Sequence, residues 1–91
     1  MKFIFDPDKS AGNEKKHGIG FDEARRLWLD ERLLRFRARD GEGDEERFLF
    51  IGKIRNRHWA AIATYRDNTI RLISVRRARE KEIEAYENEK F

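Results

Sequence analysis

Ninety-one residues with no cysteine, 43% charged and 38% hydrophobic, make one small domain with a modest core and no disulfide or zinc–thiolate framework. A net charge of +3 and a pI near 9.4 permit an anionic partner such as nucleic acid without demanding one. No apolar run approaches the roughly 20 residues that span a bilayer, and the N-terminus lacks a signal-peptide core, so a cytoplasmic protein with no membrane role is expected.

Met1 to Phe5 reads as a short strand with Phe3 and Phe5 on one face. Asp6 then caps a helix that has Pro7 at its first position, and the polar run Asp8 to His17 carries it to Gly18, the expected left-handed stop. Lys15, Lys16 and His17 fall in its last turn, where positive charge suits the helix dipole. A second helix is predicted over Phe21 to Trp28, because Phe21, Ala24, Leu27 and Trp28 share a face that belongs in the core.

Arg32 to Arg39 alternates Leu34, Phe36 and Ala38 with Arg35, Arg37 and Arg39, a half-buried strand with a basic outer face. The acidic, glycine-rich stretch Asp40 to Glu46 is a connection. Arg47 to Ile51 reads as a fully buried strand and Gly52 to Arg57 as a turn. His58 to Tyr65 is a strand with Trp59, Ala61, Ala63 and Tyr65 on one face. Arg66-Asp67-Asn68 turns tightly into Thr69 to Tyr86, strand-like to Val75 and helical from Ala78. The fold expected over residues 1–91 is a single α+β domain. It has a short N-terminal strand and two helices, an antiparallel sheet of three to four strands, and a C-terminal helix.

Several chemistries find no residues. His17 and His58 stand in no metal-ligand spacing, Gly18-Ile19-Gly20 lacks a phosphate-cradling pattern, and there is no nucleophile elbow, so neither metal nor cofactor is expected. What remains is arginine at the junction of the last strand and helix: Arg71, Arg76 and Arg77. Guanidinium groups are almost never buried unpaired, so these either pair with carboxylates or face an anion.

Together with Lys16 and His17 they could hold a phosphodiester backbone. RNA cleavage needs no metal, because the 2′-hydroxyl is an internal nucleophile. A protein has to take its proton and stabilise the charge on the pentacoordinate phosphate. Other readings stay open: Arg71 paired across the sheet, Lys16 and His17 as helix-end charges, Trp59 as core, and a non-catalytic module that binds RNA or DNA or docks a protein. A regular strand would point Arg71 and Arg76 to opposite faces, so they share one only if the strand ends or twists near Val75.

Three blocks, FDPDKSAGNEKKHGIGFDEA at 5–24, EERFLFIG at 45–52 and RLISVRRAREKEIEAY at 71–86, resemble in order and spacing the BrnT family, bacterial toxins of type II toxin–antitoxin systems. The resemblance implies a RelE-like fold and an endoribonuclease activity that inhibits translation. It also implies neutralisation by a BrnA-like antitoxin, whose ribbon-helix-helix part would carry the complex to operator DNA. By position it singles out Lys16 and His17 in the first block and Arg71, Ser74, Arg76, Glu82 and Tyr86 in the third. On this reading Arg71 and Arg76 stabilise the phosphorane, and His17 or Lys16 assists proton transfer. Arg77, Ser74, Tyr86 and Glu82 then serve substrate binding. Phe5 stands where the family commonly has Trp, and Gly20 where Ser often caps the second helix; both concern packing or capping.

Overall fold

Asp6 and Pro7 start the first helix as their chemistry requires. In the computed structural model, which describes residues 2–38 and 46–89, Asp6 is extended and its side chain accepts the Asp8 backbone N–H at 2.9 Å. Helix α1 (Pro7–His17) ends on Gly18 at φ 82°, a backbone that favours glycine. Helix α2 (Phe21–Ala24) begins without a side-chain cap of its own, and the Ser10 hydroxyl accepts the Phe21 N–H at 2.8 Å instead. The single helix expected to Trp28 is shorter: α2 passes into a 3₁₀ segment, Arg25–Leu29. That tighter winding keeps Phe21, Ala24 and Leu27 buried but leaves Trp28 half-buried against the rings of Phe3 and Phe50.

Five strands form one mixed sheet in the order β1-β5-β4-β3-β2. They are β1 (Lys2–Ile4), β2 (Leu34–Ala38), β3 (Arg47–Ile54), β4 (Arg57–Arg66) and β5 (Thr69–Arg77). The meander β2 to β5 is antiparallel, as predicted from its short connections. The sheet is mixed and five-stranded, because the short N-terminal strand expected apart from the antiparallel sheet joins it parallel to β5, with Phe3 opposite Ile70. A three-residue strand carries no signal of its partner; the free edge of β5 supplies one. The β3–β4 turn is also tighter than expected, since β3 runs on to Ile54 and only Arg55 and Asn56 turn. The acidic connection expected at 40–46 lies, apart from Glu46, outside the described residues.

Helices α1 and α2 cover one face of the sheet. Phe21, Leu27, Phe50, Ile70 and Val75 are almost wholly buried there, each contributing about 1.5–3 kcal/mol. Trp59, at 4% exposure, belongs to this core. On the opposite face helix α3 (Glu80–Asn88) packs Tyr86 and Ala85 on Leu34, Leu49 and Ile51. Two side chains satisfy backbone groups where strands lack a neighbour. Asn13 bonds both the N–H (3.2 Å) and the C=O (2.9 Å) of Val75, and Asp30 accepts the Lys53 N–H at 2.8 Å. Gly52 makes room for Asp30: a Cβ there would lie 2.8 Å from Leu33 Cδ1 and 3.1 Å from Asp30 Oδ2.

Candidate functional site

The alternation of β5 breaks once. Ser74 pairs with Ile62 and Leu72 with Ala63, so Ile73 is an extra residue, a β-bulge that switches which face the following side chains take. Before the bulge Arg71 lies opposite Thr64; after it Ser74 and Arg76 lie opposite Ile62 and Ala60. Because β4 alternates regularly, Arg71, Ser74 and Arg76 share the face that α3 leaves largely open. Ile70, Leu72 and Val75 stay in the core on the other side. The twist near Val75 that the sequence required is therefore this bulge.

Arg76 is held by Glu82. Its Nη1 and Nη2 donate to Glu82 Oε1 and Oε2, both at 2.8 Å, and Nη1 also donates to the Arg77 carbonyl at 3.2 Å. Glu82 Oε1 in turn accepts the Arg79 backbone N–H at 2.8 Å, capping α3. These hydrogen bonds, from Arg76 foremost, hold the Glu82 carboxyl below its usual range and raise Arg76 further. Among the described residues, partners engage three of the five guanidinium donors. The Nε–H and the second Nη2–H remain along one edge, a fork of the kind that fits a phosphate. Arg71 is half-buried and forms no ion pair with a described residue, and Ser74 beside it is exposed. Among the described residues no group of three or more His, Cys, Asp or Glu is arranged to hold a metal ion.

The family model described as "ribonuclease toxin, BrnT, of type II toxin-antitoxin system" matches residues 5–82. The chain belongs to the BrnT family. It is thus a member of a family of ribonuclease toxins, with an RNA target and an antitoxin partner implied. No curated protein matches the sequence.

Two positions singled out in this BrnT-family chain are built into the fold. Glu82 orients Arg76 and caps α3. Tyr86 is 2% exposed, and its hydroxyl donates to Asp30 Oδ2 at 2.7 Å. Its ring lies between His58 (5.4 Å) and the Arg32 guanidinium (5.3 Å). Burial and the Asp30 hydrogen bond push the Tyr86 hydroxyl up to about 12. Burial raises Asp30 as well, but bonds from Tyr86 and the Lys53 and Arg32 N–H groups outweigh it and leave the carboxyl below its ordinary value. Tyr86 therefore fastens α3 to the sheet through Asp30.

Arg77 departs from the expected grouping. It lies opposite Trp59 on the helix-covered face, its guanidinium 5.4 Å from the ring centroid, not beside Arg71 and Arg76. Lys16 and His17 lie in the last turn of α1, three and four residues beyond Asn13, which anchors that helix at Val75.

Sequence reasoning passed over a second polar cluster on the open face. His58 Nε2 meets Glu87 Oε2 at 2.6 Å, and Lys53 Nζ lies 3.5 Å from the same oxygen. The His58 hydrogen bond holds Glu87 below its usual range. The signal was available in parity. If Trp59, Ala61 and Ala63 face the core, His58 faces away from it.

Proposed function

We propose that this chain is a metal-independent endoribonuclease with a RelE-like mode of action, and that it inhibits translation by cutting RNA. The 2′-hydroxyl attacks the adjacent phosphorus, the bond to the 5′-oxygen of the next nucleotide breaks, and the products are a 2′,3′-cyclic phosphate and a 5′-hydroxyl. Arg71 and the free fork of Arg76 stabilise the added charge on the phosphorane. His17 or Lys16, at the end of α1 where Asn13 docks on the β5 edge at Val75, reaches the phosphate from that edge and assists proton transfer. Ser74 contacts the substrate between the two arginines. The observation that carries this reading is the bulge at Ile73, without which Arg71 and Arg76 would face opposite ways.

The partner we infer is a BrnA-like antitoxin with a ribbon-helix-helix part. It covers the arginine face and links the complex to operator DNA, and the pair acts in the cytoplasm.

The test is expression in bacteria alongside cleavage of RNA by purified protein in chelator. Arg71→Ala should slow cleavage by about a hundredfold or more and relieve growth inhibition. Its thermal midpoint should stay near that of the parent, since Arg71 forms no ion pair with a described residue. Undiminished toxicity in Arg71→Ala and Arg76→Lys would sink the assignment. RNA that is bound but left intact would mark a binding module instead.

A further inference from the structure

A groove of about 410 Å³ opens at the end of the sheet where β3 turns into β4. Arg55, Asn56 and Arg57 line it from the turn, and Gly18 and Glu23 line it from the end of α1 and from α2. The buried Ile54 and Trp59 form its floor, with the Arg77 guanidinium over the Trp59 ring. Two arginines, Arg55 and Arg57, thus share the groove with one carboxylate, Glu23. Arg55 and Arg57 are exposed, and neither forms an ion pair with a described residue.

Arg55 also holds φ at 58°, in the left-handed region, where a side-chain residue costs about 1 kcal/mol more than glycine. Asp67, at φ 55° in the β4–β5 turn, has the same backbone, which the two-residue hairpin geometry sets at both positions.

We propose that this groove is a second RNA subsite, which takes the phosphodiester backbone of single-stranded RNA running on from the Arg71 and Arg76 face. Consecutive strand residues point to opposite faces, so Arg76 and Arg77 sit back to back at one end of β5. An RNA strand crossing that end of the sheet meets Arg76 first, then Arg77, Arg57 and Arg55. The chemistry recognised is phosphate, which guanidinium forks match in bidentate geometry. Bases are not read here, because Trp59 lies under Arg77 and offers no free ring for stacking. The subsite is therefore indifferent to sequence. The proposal rests on the ribonuclease reading for the path of the RNA, but the groove's affinity is measurable without cleavage.

The probes are fluorescent 2′-O-methyl oligoadenylate and oligouridylate, which lack the nucleophilic hydroxyl, bound to the full chain across a range of salt. Arg55→Gln with Arg57→Gln should weaken binding about tenfold at low salt, equally for both sequences. It should also lower the slope of log affinity against log salt by about 1.4, at roughly 0.7 for each phosphate no longer neutralised. Glu23→Gln should shift affinity the other way, tightening it by about two- to threefold. Arg55→Gly should raise the thermal midpoint while weakening RNA binding, a pair of opposite effects that misfolding cannot produce.

Unchanged affinity and salt slope in the double variant would overturn the subsite. So would unchanged RNA binding together with lost binding to polyglutamate, which would assign the arginines to an acidic protein segment. Full binding by the parent chain of natural RNA that it never cuts would end the ribonuclease reading and leave the groove standing.

Discussion

Removing the Glu82 carboxylate tests how the open face is held together. Glu82→Ala deletes two charge-assisted bonds to Arg76 and the cap on the Arg79 N–H. The Arg76 and Glu82 side chains are 28% and 16% exposed, between a surface pair worth under about 1 kcal/mol and a buried one worth several. About 1–2 kcal/mol for the pair and about 1 for the cap give a loss near 2–3 kcal/mol. For a domain of this size that lowers the thermal midpoint by roughly 10–20 °C.

Arg76→Ala leaves the cap intact and should cost less, about 1–2 kcal/mol. A double-mutant cycle of the two changes, read by urea denaturation at pH 7, should give a coupling of about 1–2 kcal/mol. The pH dependence has a fixed sign. Glu82 titrates lower in the folded chain than unfolded, so its contribution is present above the ordinary carboxylate range and disappears as pH falls through the depressed folded value. A coupling below about 0.3 kcal/mol at pH 7, within the scatter of independent sites, would refute the reasoning. So would a coupling that persists undiminished in strong acid.

Gly52→Ala should lose about 1–3 kcal/mol in the same denaturation assay, because the new Cβ meets Leu33 and the Asp30 oxygen that holds the Lys53 N–H. Tyr86→Phe should lose about 1 kcal/mol at neutral pH, since Asp30 keeps its backbone donors. In the parent chain, stability held below pH 10 should fall as pH rises toward about 12, because Tyr86 resists ionisation only when folded. Tyr86→Phe should flatten that decline, followed by circular dichroism. Thr64→Val should raise stability by about 1 kcal/mol, because the buried hydroxyl of Thr64 has no hydrogen-bond partner among the described residues.

Features that depend on neighbouring residues were legible along the chain. Asp6, Pro7 and Gly18 bound α1 because capping is a local matter of side-chain oxygens and permitted dihedrals. Alternation along β4 assigned Trp59, Ala61 and Ala63 to the core, and the three motif blocks carried the resemblance to BrnT toxins that the family match bears out. Packing settled the rest. Whether Arg71 and Arg76 cooperate depends on one unpaired residue, Ile73, and a bulge is defined by a strand's partner and not by its own composition. The pairing of β1 with β5, the clasp of Tyr86 on Asp30 and the separation of Arg77 from Arg76 join residues up to 67 positions apart or turn on which face a neighbouring helix covers. Charge and periodicity fix what a residue can do, and only packing fixes which residues do it together.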